Sequence, residues 1–112
     1  MLVQLLIASA AIVLTLLVQV AFIGTAISTL AGISAAVWIW ALLYIWLGVV
    51  DSLDTAVYFS TVAFTTLGFG DITLSEDWRL TSALMAANGL LLFSLNTAFL
   101  IEVIRRLIPP RR

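Results

Sequence analysis

The stretch "FTTLGFGDIT", residues 64–73, decides how the chain is interpreted. It sets two glycines, Gly68 and Gly70, two positions apart and follows them with Asp71, in the middle of a strongly apolar sequence. Glycine adopts the left-handed backbone that other residues avoid, so the stretch predicts an irregular, non-helical segment. Within a membrane such a segment has to lie inside protein or along a water-filled path, because hydrocarbon leaves its backbone groups unpaired.

The composition indicates a membrane protein. Of the 112 residues, 63% are hydrophobic and 10% are charged, whereas soluble domains have about 45–50% and about 25%. The mean hydropathy is +1.22. The chain contains no cysteine, histidine or lysine, which excludes disulfides, ordinary zinc sites and most pairs of a nucleophile and a base. We therefore expect no enzymatic activity, no cofactor, no nucleic-acid partner and no small-molecule substrate.

The first half of the chain is long enough for two membrane helices. Residues 2–50 carry no charged side chain, and one helix of that length would measure about 74 Å. A bilayer core of about 30 Å is crossed by about 20 residues. We therefore predict a break within residues 24–34, where glycine, serine and threonine interrupt the apolar run. This gives an N-terminal transmembrane helix at residues 1–30 and an outer helix at residues 33–50.

The second half predicts one short and one long helix. Residues 53–65 form a helix capped by Ser52 or Asp51, and its length of about 13 residues is too short to cross a bilayer. It suits a re-entrant pore helix, with the chain returning through residues 66–71. An inner helix is predicted at residues 77–108 and is long enough to cross.

The charges predict an orientation. Acidic side chains surround the glycine-containing stretch: Asp51, Asp54, Asp71, Glu76 and Asp77. Four arginines lie at the far end of the inner helix: Arg105, Arg106, Arg111 and Arg112. Pro109 and Pro110 are expected to end that helix. By the positive-inside rule the C-terminus is cytoplasmic and the glycine-containing stretch opens to the outside. The predicted location is the cell (inner) membrane, with a multi-pass topology.

The hexapeptide "TLGFGD", Thr66 to Asp71, resembles the T-V-G-Y-G-D selectivity filter of potassium channels. The wider "YFSTVAFTTLGFGDITLSEDWR" looks most like small bacterial two-pore-domain-like potassium channels. The resemblance covers residues 35–106. It implies an all-α membrane protein in which two transmembrane helices flank a re-entrant pore helix and a filter. It further implies a pore domain at residues 33–108, an extra N-terminal transmembrane helix outside it, and a homotetramer in the lipid bilayer that conducts K⁺.

The filter residues are the candidate site. A cation that leaves water needs oxygen ligands in place of its hydration shell, and K⁺, the permeant ion, would bind the carbonyls of Thr66, Leu67, Gly68 and Phe69. Gly70 continues the alternating backbone handedness that aims successive carbonyls one way. Thr65 and Asp71 are expected to support the filter and its outer mouth. Asn96 and Asn88, polar at membrane depth, are expected to line a cavity or to form hydrogen bonds between helices.

The segment departs from the usual filter pattern at several positions. Leu67 replaces valine and Phe69 replaces tyrosine. Tyr58 and Phe59 occupy positions where some relatives carry two tryptophans, and Val62 occupies a position where some carry a glutamate that braces the filter. The resemblance therefore implies a filter that lacks both of these supports.

Four alternatives remain open. A sodium-permeable or non-selective cation channel would keep the same ring of carbonyls. A non-conducting membrane subunit or scaffold would need no ion path, and a plain glycine turn could join two helices. "GFGD" also matches the G-x-G-D signature of intramembrane aspartyl proteases, whose chemistry needs a second aspartate on a facing helix. Ion flux separates a channel from a scaffold or protease, and a reversal potential separates potassium from sodium.

Overall fold

The computed structural model describes residues 1–108, which form helices joined by short connections. The helices are α1 (Leu2–Trp46), α2 (Leu53–Phe64), a 3₁₀ turn (Glu76–Trp78) and α3 (Arg79–Leu107). No strand occurs in this part of the chain. The all-α fold class is therefore confirmed for the described residues. The predicted proline stop and the last two arginines, all within residues 109–112, lie outside them.

Two helices, rather than the predicted three, are long and apolar enough to cross a membrane. They are α1 and α3, whereas α2 is a shorter apolar helix. At about 1.5 Å per residue, the 45 residues of α1 measure about 67 Å, and the longest dimension of the molecule is 72 Å. The N-terminal transmembrane helix and the outer helix of the sequence prediction are thus one continuous helix in the structure.

The predicted break within residues 24–34 is absent because its polar side chains bond to the helix itself. The Thr25 hydroxyl donates to the Ala21 carbonyl (2.7 Å), and the hydroxyls of Ser28 and Thr29 both donate to the Thr25 carbonyl (2.8 Å). Such bonds satisfy these three hydroxyls within the helix. A glycine in a helix costs only about 1 kcal/mol relative to alanine, so the apolar run continues as a helix.

Burial in α1 is confined to its C-terminal third, at Val37, Ala41 and Tyr44. Residues 1–17 are all exposed. The structure thus packs the C-terminal third of α1 most closely, and the assignment of residues 33–108 to a separate pore domain stays a prediction.

The core lies where α2 meets both long helices. It consists of Val37, Tyr44, Phe59, Phe64 and Met85. The rings of Tyr44 and Phe59 meet edge to face, with centroids 5.7 Å apart and an interplanar angle of 74°, which is a favourable aromatic geometry. These contacts hold α2 against α1 and thereby position the segment that follows α2.

The C-terminus of α2 rests directly on the backbone of α3. A Cβ atom on Gly89 would collide with the carbonyl group of Phe64. Phe64 is fully buried and also packs against Phe93, with ring centroids 6.1 Å apart. Only glycine allows this close approach, so Gly89 sets the distance between the end of α2 and the middle of α3.

The helix ends follow from local chemistry. The Ser52 hydroxyl caps α2 by accepting a hydrogen bond from the Thr55 N–H (3.2 Å), as expected for an N-cap serine. α1 ends at Trp46, short of the predicted residue 50. Gly48 there adopts a left-handed conformation (φ +67°), which terminates the helix in the way glycine commonly does.

Candidate functional site

The segment of residues 66–71 begins in the cap of α2. The Thr66 N–H donates to the Ala63 carbonyl (3.0 Å), and the Leu67 N–H donates to the Val62 carbonyl (3.0 Å). These two bonds define a Schellman motif, whose left-handed position is usually glycine. Here that position is Thr66, with φ +61°. A β-branched residue in this conformation is strained, and such strain is typical of functional segments.

The backbone alternates in handedness along the segment. The φ angles of Thr66, Gly68 and Gly70 are +61°, +59° and +76°, and the residues between them do not have positive φ. Positive φ at the two glycines agrees with the sequence-based expectation. Thr66 was not expected to share it. The signal that was overlooked is its position, directly after the predicted end of a helix at residue 65, where left-handed caps occur.

The first three N–H groups of the segment are hydrogen-bonded, whereas its carbonyls receive no hydrogen bond from the described residues. Besides the two cap bonds, the Gly68 N–H donates to the Val62 carbonyl (3.2 Å). Among the described residues no group donates a hydrogen bond to the carbonyls of residues 66–70. The N–H groups of the first three residues therefore point back to α2, and five consecutive carbonyl oxygens keep both lone pairs available to a cation.

The two threonines at the start of the segment differ in their hydrogen bonds. The Thr65 hydroxyl donates to the Thr61 carbonyl (2.7 Å) within α2, so it reinforces the end of that helix. The Thr66 hydroxyl has no hydrogen-bond partner among the described residues. Of the two, Thr66 therefore has the hydroxyl that can serve as a further oxygen ligand.

The C-terminal end of the segment is tied to α2 by a side-chain hydrogen bond. The Tyr58 hydroxyl donates to Asp71 Oδ2 at 2.6 Å. This bond holds the pKa of Asp71 below its ordinary value of 3.8, and the N–H groups of Asp71 and Ile72 add to the effect. The tryptophan pair and the glutamate are absent, but Tyr58, at one of the tryptophan positions, supplies a support of its own to the Asp71 carboxylate.

Phe59 and Val62, the other two positions at which relatives carry supporting side chains, have structural roles. Phe59 is buried against Tyr44 in the core. The Val62 side chain is buried, and its carbonyl receives the N–H groups of Leu67 and Gly68. Position 62 thus supports the segment through its main chain, and the sequence comparison of side chains could not reveal this.

The segment does not pack tightly on the rest of its own chain. A cavity of about 450 Å³ separates Thr66, Gly68 and Gly70 from Ala83 and Ala86 near the start of α3. Every residue from 65 to 71 is exposed, and the exposed fractions of Leu67 and Phe69 are 59% and 66%. One chain therefore supplies one uncovered wall of a site.

The two asparagines predicted to line a cavity lie on α3. Asn88 is exposed and Asn96 is half-buried. Neither lines the cavity behind residues 66–70, and neither side chain is hydrogen-bonded to another described residue. The structure does not join them to the segment, and their place in a cavity below it stays a prediction.

The acidic side chains near the segment do not form a metal-binding cluster. Within residues 1–108 no three of them lie close enough together to hold a metal ion. Glu76 is paired with Arg79 at 3.1 Å, and both side chains are exposed, so this ion pair contributes little to stability. The oxygen ligands that the segment offers a cation are therefore its carbonyls and the Thr66 hydroxyl.

Comparison with known proteins identifies the region that contains this geometry. A family model described as "Ion channel" matches residues 32–106, about two thirds of the chain. The match includes the C-terminal third of α1, all of α2, the segment of residues 66–71 and α3 up to its last residue but one. No curated protein and no solved structure matches the chain.

Proposed function

The chain belongs to the ion channel family, and on this premise we propose that four copies form a potassium-selective pore in the cell membrane. K⁺ would pass down its gradient through a filter built from residues 66–70 of each chain. The family match supports a pore domain and ion transport across a membrane. The choice of potassium, the number of copies and the identity of the filter are the proposal.

One observation carries the choice of site. The N–H groups of Thr66, Leu67 and Gly68 donate to α2, whereas the carbonyls of residues 66–70 receive no hydrogen bond from the described residues. Rings of backbone carbonyls replace the hydration shell of K⁺ in a selectivity filter. The alternating φ angles supply the backbone handedness that such a stack of carbonyls requires. Thr66, Leu67, Gly68 and Phe69 are accordingly the proposed ligands, and the resemblance of "TLGFGD" to a potassium filter favours K⁺ over Na⁺.

The exposure of the segment supports an oligomer. Irregular backbone at membrane depth is tolerated where protein buries it or where it lines water, and in one chain residues 65–71 are uncovered. A closed ring around an ion path requires cyclic symmetry. The resemblance implies four chains, with α2 as the re-entrant pore helix of each.

The distribution of charge supports an orientation in the membrane. Asp51, Asp54 and Asp77 lie at the end of the molecule that holds the filter, whereas Arg105 and Arg106 occupy the last turn of α3. The positive-inside rule then places the end of α3 in the cytoplasm and the filter mouth outside.

The protease alternative lacks a second catalytic carboxylate in the expected place. Neither α1 nor α3 contains an aspartate, and Asp71 is hydrogen-bonded to Tyr58. General acid–base chemistry by two aspartates requires both to converge on one bond. The ion channel family also assigns this region to transport.

Reversal potentials test the proposal directly. The purified protein is incorporated into planar bilayers with potassium on one side and sodium on the other. Potassium selectivity should shift the reversal potential towards the potassium equilibrium potential. The shift is about 59 mV for each tenfold increase in the ratio of potassium to sodium permeability. A potential near zero would indicate a non-selective cation pore, and an inserted protein without current would indicate a non-conducting subunit.

A matched variant and the subunit count complete the test. Gly70→Val should insert but abolish current, because valine resists the φ of +76° found at Gly70. Unchanged current in this variant would remove residues 66–70 from the ion path. Native mass spectrometry of the protein released from its membrane should yield a tetramer, and a monomer or dimer there would contradict the proposed architecture.

A further inference from the structure

One face of α3 is turned towards the segment of residues 66–71. Ala83 and Ala86 line one wall of the cavity of about 450 Å³ whose other walls include that segment. With 3.6 residues per turn, helix positions that are three, four or seven apart share a face. Leu90 lies four positions after Ala86 and seven after Ala83. It therefore continues the same face beyond the level of the segment.

Three further residues extend this face towards the C-terminal end of α3. Ser94, Thr97 and Ile101 follow Leu90 at successive intervals of four, three and four positions, and all are exposed. The exposed fractions of Leu90 and Ile101 are 60% and 48%. The described residues of one chain thus leave this face largely uncovered. We call these four residues the segment-side face of α3.

Asn96 lies on a different face of α3. It is half-buried, and it follows Met85 by eleven positions and Gly89 by seven. Both of those residues are buried, and Gly89 meets the end of α2. Val103, seven positions after Asn96, lines a groove between α1 and α3 together with Val18. Asn96 is therefore turned towards the helices of its own chain.

Asn88 is exposed but points away from the segment-side face. It precedes Leu90 by two positions, so the two side chains leave nearly opposite sides of the helix. Neither of the asparagines that the sequence predicts as cavity-lining residues shares the face that begins at Ala83 and Ala86.

We propose that the segment-side face of α3 lines the ion path between the filter and the C-terminal end of α3, with Ser94 and Thr97 as its polar residues. The inference rests on the proposed function, because the path requires the ring of filters from several chains. An ion that passes residues 66–70 continues on the side of α3 that faces them. The hydroxyls of Ser94 and Thr97, and not the two amides, are then the polar side chains that it meets on α3.

The hydrogen bonds of these two hydroxyls suit a hydrated cation. The Ser94 hydroxyl donates to the Leu90 carbonyl (2.8 Å), and the Thr97 hydroxyl donates to the Phe93 carbonyl (2.9 Å). Each hydroxyl proton is thus used within the helix, and each oxygen keeps its acceptor capacity. Water molecules bound to a cation turn their protons outward and need such acceptors. An asparagine amide would also present donors to them.

Silver ions and cysteine variants test which face lines the path. Ag⁺ is a monovalent cation that binds cysteine sulfur in place of the thiol proton, and the chain contains no native cysteine. Potassium currents are recorded in planar bilayers with nitrate salts, because chloride would precipitate Ag⁺. Ag⁺ should abolish the current of Ser94→Cys, Thr97→Cys and Ile101→Cys and leave the wild-type current unchanged.

Three other cysteine variants should be insensitive to Ag⁺. Asn88→Cys and Asn96→Cys should keep their current, because these side chains lie on other faces. Leu95→Cys is the matched control for exposure. Leu95 is 65% exposed and lies between Ser94 and Thr97 in the sequence, but it leaves the other side of the helix. Loss of current in Leu95→Cys to the same extent as in Thr97→Cys would contradict the assignment of the face.

The outcomes separate this inference from the proposed function. A wild type without potassium current would remove both. A conducting wild type in which Ag⁺ blocks Asn88→Cys or Asn96→Cys, and spares Ser94→Cys and Thr97→Cys, would overturn the inference and leave the potassium channel in place. The use of several positions on each face means that no single misfolded variant decides the result.

A second pair of variants tests the hydroxyl itself. Thr97→Val keeps the branched shape and removes the oxygen, so its unitary potassium conductance should fall. Thr97→Ser keeps the hydroxyl and should restore the conductance. Equal unitary conductance in Thr97→Val and the wild type would overturn the role of the Thr97 hydroxyl.

Discussion

The Tyr58 hydroxyl and the Asp71 carboxylate form a 2.6 Å hydrogen bond that closes a loop around residues 66–70. At the inner end of this loop, the N–H groups of Thr66 and Leu67 are bonded to the end of α2. The strained segment is thus attached to one rigid helix at both ends. Such a double attachment limits the conformations open to the backbone between them.

Removal of the bond between Tyr58 and Asp71 should make the proposed filter less durable. Tyr58→Phe keeps the ring and deletes the hydroxyl, so the variant should conduct but lose current faster when external potassium is lowered. Tyr44→Phe is the matched control, because that hydroxyl lies 3.4 Å from Thr81 and not at the filter. Current decay in single-channel recordings measures the effect. Identical decay in both variants and the wild type would show that the bond is dispensable.

The same bond predicts how the current of the proposed channel responds to acid. The folded pKa of Asp71 lies below its ordinary 3.8, so its stabilising effect is present above pH 3.8 and is lost as the pH falls through the lower folded value. Titration of Asp71 should therefore leave the current unchanged from about pH 8 to about pH 5. Tyr58→Phe removes this bond, so the pH at which protonation of Asp71 reduces the current should move up towards 3.8. External pH titration of both proteins tests this, and equal midpoints would contradict it.

Substitutions of Thr66 should separate backbone strain from ion binding. Thr66→Gly relieves the positive φ and should stabilise the fold by about 1 kcal/mol, while the lost hydroxyl weakens ion binding at the innermost site. Thr66→Ser keeps the hydroxyl and should conduct like the wild type. Denaturant unfolding and unitary conductance report the two effects. A Thr66→Gly variant with full conductance would show that the hydroxyl is not an ion ligand.

Gly89 should tolerate no side chain, whereas Gly32 should. A methyl group at Gly89 meets the Phe64 carbonyl, but none of the described residues lies within 4 Å of a Cβ at Gly32. Gly89→Ala should destabilise the protein by about 1–3 kcal/mol through overpacking and displace the end of α2. Gly32→Ala should be neutral or slightly stabilising. Unfolding midpoints of the two variants give the comparison, and equal stability would contradict the close approach.

The continuity of α1 can be tested by cross-linking, because the chain has no native cysteine. Val18 and Val103 line the same groove, so cysteines at both positions should be joined by a short bis-maleimide in native membranes. A pair at Leu16 and Val103 should react poorly, since Leu16 lies on the other side of α1. Failure of the first pair would indicate the break at residues 24–34 that the sequence predicts.

Local and periodic signals were enough to identify much of the architecture. The long apolar runs predicted helices, and the short run after Ser52 predicted a helix that cannot cross a bilayer. Gly68 and Gly70 predicted left-handed backbone, because that preference belongs to the residue itself. The predicted break in α1 was wrong for a different reason. Glycine and hydroxyl residues weaken a helix only slightly when the hydroxyls can bond to the preceding turn.

The tertiary structure decided the contacts between residues that are distant in the sequence. Tyr58 was interpreted from its own position as a missing support, and only the path of the chain brings it to Asp71. The approach of Phe64 to Gly89, and the groove between Val18 and Val103, depend likewise on how two helices pack. Helix and turn preferences arise from neighbouring residues and can be read along the chain. A hydrogen bond or a groove between distant elements depends on packing geometry, and that geometry is set by the whole core at once.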